Sequence, residues 1–397
     1  MRYVTRELES EVQRAARTFP ALILTGPRRS GKTSLLRHVF PDASYFLMED
    51  PNIVSRLRSD PAGFLDAIRP PVILDEVQNA PEVFAHVRSR IDMRPRRAGQ
   101  WLLTGSQEAP LMRGVTESMA GRAAIMQLRP LSIRESPKVA LLSGGYPEPL
   151  ARPRTASLWF SSFIQTYLER DVRGVSDVKD LATFRRFLSI VASRHGQILN
   201  KTDLAGPLGV SVPTVASWLN VLELTAQIIL VPPFYENLGK RLTKSPKVYI
   251  ADSGLACFLL GIESRAELAK SPFLGAIFEG FVAGEIIKTQ TNAGRRPEIY
   301  HFRDAQGLEV DFLVPGRSGR LTLVECKAAR SVRPSDSSSL ARVAAAIRLH
   351  RTPRTPLNLF VVHQPAAVPA RFEVLTPEVK AVSIERLVEE IGQGGRG

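Results

Sequence analysis

The stretch Gly26-Pro27-Arg28-Arg29-Ser30-Gly31-Lys32-Thr33 decides the reading of the whole chain. It fits the phosphate-binding pattern G-x-x-x-x-G-K-[ST] without a mismatch. Gly26 and Gly31 let backbone N–H groups close around phosphates, Lys32 supplies a point charge to the terminal phosphates, and the Thr33 hydroxyl suits Mg²⁺. Working outward, Ala21-Leu22-Ile23-Leu24-Thr25 reads as a short apolar strand entering the loop. Thr33-Ser34-Leu35-Leu36-Arg37-His38-Val39 reads as a helix whose N-terminus faces the anion. Strand, loop and helix stand in the order the chemistry requires, so residues 26–34 are expected to bind ATP.

A second signal lies some forty residues further on, in Pro71-Val72-Ile73-Leu74-Asp75-Glu76. An apolar strand ending in two acids puts Asp75 in position to hold Mg²⁺ through its water shell and Glu76 in position to deprotonate an attacking water. Gly99-Gln100-Trp101-Leu102-Leu103-Thr104-Gly105-Ser106-Gln107 is another buried-looking strand, expected to bring Ser106 or Gln107 toward the γ-phosphate. Alternating strands and helices over residues 20–130 predict an α/β fold, with a parallel sheet covered by helices on both faces.

Composition bounds the rest. A length of 397 residues, 44% hydrophobic and 23% charged, suits two or three globular domains with proper cores. No run approaches the roughly 18 apolar residues of a membrane helix, and the N-terminus has no apolar signal core, so a cytoplasmic protein with no membrane partner is expected. Cys257 and Cys326 cannot make a disulfide framework, and neither they nor the six histidines show zinc-ligand spacing. The formal charge of +14 suits a polyanionic partner, DNA before RNA. An Arg-rich composition from a high-GC genome would produce the same balance with no such partner.

These pieces resemble a known group, the bacterial and archaeal AAA-type ATPases fused to a C-terminal domain of unknown function. The resemblance is carried by Gly26 to Thr33, Met48-Glu49-Asp50, Ile73 to Pro81, Leu103 to Gln107 and Ser118-Met119-Ala120-Gly121-Arg122. It continues through Gly144-Gly145-Tyr146-Pro147-Glu148, Tyr167 to Asp171 and Lys244 to Tyr249. It implies an arginine reaching a neighbouring subunit's nucleotide, for which Arg122 is the matching position, and hence a homo-oligomer. No second arginine in a helical lid is evident, which speaks against a standard hexamer.

The expected organisation is an ATPase domain over 1–135, a helical connector over 136–182, a winged-helix-like module over 183–255 and an α/β domain over 256–397. In the connector, the aromatic run from Trp159 to Tyr167 is read as packing. Within the third part, Thr202 to Leu219 has the rhythm of helix, turn at Gly209 and helix, with Pro207 interrupting the first. Strands at Ile228–Val231 and Lys247–Ile250 are expected to pair around a basic connection carrying Lys240, Arg241 and Lys244. The outward positions of the second helix, Ser211, Thr214, Ser217 and Asn220, include no Arg or Lys, which argues against sequence-specific DNA reading.

The last part reads helix (around Phe278 to Ile287), three strands (Glu298–Arg303, Leu308–Val314, Leu321–Ala328), helix and strand. That order resembles the restriction-endonuclease-like core, whose signature is an acid on one strand and E-x-K on the next. The resemblance assigns Asp311, Glu325 and Lys327 as catalytic, and Glu279, Asp311 and Glu325 as Mg²⁺ ligands. Glu325 and Lys327 are two apart on a strand and so share a face, with Val324, Cys326 and Ala328 on the other. Two functions remain open on the sequence: an ATPase of DNA processing with a metal-dependent nuclease, or an ATP-driven switch or scaffold whose C-terminal domain binds without cutting.

Overall fold

The computed structural model describes residues 3–93, 97–105, 119–168, 181–234, 245–316, 319–350, 356–365 and 374–393. The N-terminal part is built on five parallel strands: β1 (Ala21–Thr25), β2 (Ser44–Leu47), β3 (Val72–Asp75), β4 (Trp101–Thr104) and β5 (Ala123–Gln127). Their order across the sheet is β2-β3-β4-β1-β5. Residues of β1, β3 and β4 are buried on both faces, which is why these strands read as continuous apolar runs. Ile23, Leu74 and Leu103 pack into one core with Phe64, Phe84 and Val87, while Leu22, Ile73 and Leu102 pack into a second with Leu8, Val12 and Leu35. Helices therefore cover both faces, as the alternation of elements predicts.

Local chemistry sets the helix starts. The loop after β1 turns into α1 (Lys32–Val39) at Gly31, whose φ is 99°. Asp50 caps α2 (Pro51–Ser59), its side chain accepting from Asn52 N at 2.8 Å with proline in the first turn. Met48 is a core residue of the same segment, so Met48-Glu49-Asp50 works largely as a strand end and helix cap.

The middle of the chain supplies α3 (Ala156–Phe163), α4 (Leu181–Ser193), α5 (Val212–Leu224) and an antiparallel sheet of β6 (Gln197–Ile198), β7 (Ile228–Val231) and β8 (Lys247–Ile250) in the order β6-β8-β7. Trp159 stacks on Phe163 with ring centroids 5.0 Å apart, and Phe160 and Phe163 are buried, so these three aromatic residues are packing. The helix at Lys201–Ala205 gives way at Pro207 to a 3-10 turn, with Gly209 left-handed, before α5 begins. Ser211 and Asn220 are exposed and Thr214 and Ser217 half-buried, on the outward side expected of them. Lys240, Arg241 and Lys244 lie outside the described residues.

The C-terminal part has a five-stranded mixed sheet, β13-β12-β11-β10-β9, formed by β9 (Tyr300–Arg303), β10 (Glu309–Pro315), β11 (Leu321–Lys327), β12 (Leu357–His363) and β13 (Val379–Val382). The first three strands run antiparallel and the last pairs are parallel. The long α6 (Leu274–Asn292) covers one face and α7 (Ser338–His350) the other. No break in packing falls at residue 255: Ile229, Val231 and Tyr249 share a single core with Phe278, Phe312 and Phe360.

Gly144 and Gly145 are explained by close approaches to Asp252 and Leu131. A Cβ on Gly144 would lie 2.1 Å from Asp252 Oδ1, and one on Gly145 would lie 2.3 Å from Leu131 O. The buried Asp252 carboxylate accepts from Gly145 N at 2.7 Å and Leu255 N at 3.0 Å.

Candidate nucleotide and carboxylate sites

The carboxylate of Asp75, buried at the end of β3, gathers three hydroxyls. Thr33 Oγ1 donates to its Oδ2 at 2.7 Å, Tyr45 OH donates to the same oxygen at 2.8 Å, and Thr104 Oγ1 donates to Oδ1. Sheet order explains the meeting, because β4 lies between β1 and β3 and ends beside both. Ser106 and Gln107 lie outside the described residues, and the polar group at the end of β4 that touches the acid is Thr104. Tyr45 follows from no motif, whereas Thr104 lies within the Leu103 to Gln107 stretch and closes the apolar run in the sequence.

Glu76 follows with a left-handed backbone, φ 57°. Its N–H donates to Thr104 Oγ1 at 3.2 Å, its carboxylate accepts from Gln78 Nε2 at 2.5 Å, and Arg28 stands 4.0 Å away and also 3.8 Å from Glu49. A non-glycine residue in this region is strained, on the order of 1–3 kcal/mol, and such strain persists only where the surroundings hold it.

Around the loop itself, Gly26 has φ 137° and a Cβ there would lie 2.1 Å from Leu128 O. Pro27 and Arg28 are buried, while Arg29 and Ser34 are exposed. Lys32 donates to Gly26 O and Pro27 O, each at 3.0 Å. Ser30 is fully buried and its hydroxyl has no partner among the described residues. A lysine and a buried hydroxyl at the start of a helix fit a triphosphate, and Thr33 beside Asp75 fits its Mg²⁺.

Arg6 was not legible as a site residue. Buried at 5% exposure, it donates to Ser30 O at 2.9 Å, to Arg129 O at 2.7 Å and to Glu135 Oε1 at 3.0 Å. Glu135 also accepts from Glu7 N and Ser132 N, both at 2.9 Å. The neighbouring Ile133 N donates to Glu285 of α6 at 3.1 Å, and Lys288 bridges Glu285 and Leu131 O. A polar chain thus runs from the phosphate loop to the helix that carries Glu279.

Arg122 begins β5. Its carbonyl accepts from Ala21 N at 3.2 Å, at the opposite end of β1 from the loop, and its guanidinium pairs with Asp92 at 2.6 and 3.2 Å.

The residues expected to make a metal site in the C-terminal part are arranged differently. Lys247, from β8, lies with its ammonium 2.7 Å from Glu279 Oε1, 2.5 Å from Glu309 Oε1 and 3.5 Å from Asp311 Oδ1. Tyr249 OH donates to Glu279, Cys326 N donates to Asp311 Oδ2 at 2.8 Å, and Lys327 pairs with Glu325 Oε1 at 2.8 Å. Burial, with Asp311 adding to it, pushes Glu279 up to about 8 and Glu325 up to about 7. Burial works against the charge on Lys247, but Glu279, Asp311 and Glu309 outweigh it and hold its pKa well above the ordinary value.

A divalent ion about 3.5 Å from that ammonium would be repelled by on the order of 10 kcal/mol at an effective dielectric of 20. Among the described residues no group of three or more His, Cys, Asp or Glu side chains is disposed to hold a metal. Glu279, Asp311 and Glu325 therefore do not fit the Mg²⁺ expected of them; the position is held by a lysine that sequence reasoning did not connect to them.

Comparison with known proteins agrees with the N-terminal geometry. Residues 18–136 match an AAA domain, 134–266 a domain of unknown function (DUF8612) and 274–369 a domain of unknown function (DUF4143). The uncharacterized protein Rv2008c of Mycobacterium tuberculosis is 34% identical over 375 residues, covering 91% of this chain and 83% of that protein. The uncharacterized protein Mb2031c of Mycobacterium bovis matches equally. The chain belongs to the family of these mycobacterial proteins. Within it, the N-terminal region has an AAA-type P-loop ATPase-like fold. Among solved structures, a Walker-type ATPase of Pyrococcus abyssi is 16% identical, covering 65% of this chain and 98% of that one, with a TM-score of 0.46. The RuvB Holliday junction branch migration motor of Thermotoga maritima is also 16% identical, covering 58% of this chain and 90% of that one, with a TM-score of 0.33. Among the described residues no helix is long and apolar enough to cross a membrane.

Proposed function

We propose that this protein is a Mg²⁺-dependent ATP hydrolase that uses turnover to act on nucleic acid. The observation that carries the catalytic half is the 2.7 Å bond from Thr33 of the phosphate loop to Asp75 of β3, with Glu76 next in the chain. Thr33 and Asp75 would hold Mg²⁺, which supplies charge neutralisation at the phosphates. Loop N–H groups and Lys32 bind and orient the triphosphate. Glu76, kept in place by Gln78 and its backbone, accepts the proton of the attacking water. Arg122 lies at the far end of β1 from its own loop, which supports a role at the site of another copy and hence a homo-oligomer.

The nucleic-acid half rests on the +14 charge and on the helix-turn-helix rhythm that ends in α5. The uncharged outward side of α5 speaks against reading of bases and favours the alternative, an ATP-driven switch or scaffold. Nuclease chemistry at Asp311, Glu325 and Lys327 is left out of this reading, because Lys247 stands among the carboxylates.

ATP turnover measured with and without a panel of single-stranded, duplex and branched DNA and RNA tests both halves. Lys32→Ala and Glu76→Gln should abolish turnover, and one polymer should stimulate it. Equal turnover in wild type and both variants would sink the ATPase, and indifference to every polymer would favour an ATP-driven switch or scaffold.

A further inference from the structure

Lys247 is not a surface side chain that has strayed into an acidic patch. Its side chain is 3% exposed, and its strand is paired on both sides, Lys247 standing opposite Val231 of β7 and Ile198 of β6. Val248, Tyr249 and Ile250 beyond it are buried, so the base of the lysine is fixed by a central strand. Tyr249, two residues on and therefore on the same face, donates its hydroxyl to the same Glu279 oxygen that Lys247 contacts. A single strand thus delivers a cation and a hydroxyl to one carboxylate cluster.

The carboxylates are committed in return. Glu309 meets Lys247 through Oε1 and Arg303 through Oε2 at 3.4 Å, while Asp311 meets Lys247 through Oδ1 and the Cys326 N–H through Oδ2. Magnesium demands near-octahedral oxygen ligands at about 2.0–2.1 Å, and the ammonium already seated among these oxygens competes for that place.

We propose that the Lys247 ammonium is a built-in cation standing in for a divalent metal among Glu279, Glu309 and Asp311. The cluster takes up no metal, and the C-terminal domain carries no metal-dependent phosphodiester cleavage. The buried charges serve instead to bind β8 to α6 and β10, joining the middle and C-terminal parts of the chain. The cluster shares no residue with the nucleotide site, and its test needs no ATP.

The test is Mn²⁺ alone, titrated without nucleotide into the full chain carrying Thr33→Ala, with free Mn²⁺ read by electron paramagnetic resonance. This protein should show no Mn²⁺ site that Asp311→Asn removes. Adding Lys247→Met should create one site per chain, lost again with Asp311→Asn, and added Mn²⁺ should raise the melting temperature of the Lys247→Met protein. An Asp311-dependent site in the protein that retains Lys247 would overturn the proposal, as would a folded Lys247→Met variant that gains none. If Lys247→Met does not fold, the first titration decides by itself: no Asp311-dependent Mn²⁺ site upholds the proposal, and one refutes it.

Discussion

Replacing Arg6 with alanine should weaken the phosphate loop from outside the motif. The side chain makes charged hydrogen bonds to Ser30 O, Arg129 O and Glu135, each worth roughly 1.5–3 kcal/mol when the donor is ionised. Glu135 would keep the N–H groups of Glu7 and Ser132, so its carboxylate is not orphaned and the three terms do not simply add. A net loss of about 3–5 kcal/mol, the usual cost of removing one partner of a buried ion pair, is the expected outcome. That corresponds to a fall on the order of 10 °C in melting temperature for a domain of this size. The Ser30 carbonyl lies inside the loop, so affinity for a fluorescent ATP analogue should fall about tenfold, or about 1.4 kcal/mol, well below the melting temperature. Arg6→Lys should lie between the two, since a single ammonium cannot span all three acceptors. Differential scanning fluorimetry without nucleotide and equilibrium titration with the analogue measure the two effects. An Arg6→Ala protein melting within about 2 °C of wild type with unchanged affinity would refute the reasoning.

Gly26→Ala places a Cβ 2.1 Å from Leu128 O at a φ of 137°, so it should abolish binding of the ATP analogue and lower stability by about 2 kcal/mol or more; normal binding would show that the loop tolerates the displacement. Glu279 has a folded-state pKa of about 8 against an ordinary 4.5, a displacement on the order of a few kcal/mol. Because that pKa is raised, the stability it contributes is fully present below about pH 4.5 and is lost as pH rises through about 8. Glu279→Gln, which does not titrate, should therefore show a shallower loss of melting temperature between pH 5 and 8 than wild type, and parallel curves would discard this account.

How far the chain could be read depended on how local the chemistry is. Gly26 to Thr33 is one loop, and the roles expected of it fall to residues a few positions apart, so the motif is complete in the spacing alone. The same holds for β1, β3 and β4, whose unbroken apolar runs record burial on both faces, and for the helix interrupted at Pro207. In the C-terminal part the order of helix, strands, helix and strand was legible from periodicity, and so was the shared face of Glu325 and Lys327.

Other features were settled only in three dimensions. Arg6 meets Glu135 across 129 positions of sequence, Thr104 meets Asp75 across 29, and Lys247 comes from a strand of the middle sheet to carboxylates on α6 and β10. No local pattern marks such residues, because a lone Arg or Lys looks the same in sequence whether it ends in solvent or among buried acids. The amino-acid order by itself determined the phosphate loop and the strands that carry it, since their geometry is set by neighbours along the chain. Which cation the C-terminal carboxylates face was decided by tertiary structure alone, since packing brought β8 against α6 and β10 and placed the charge of Lys247 among them.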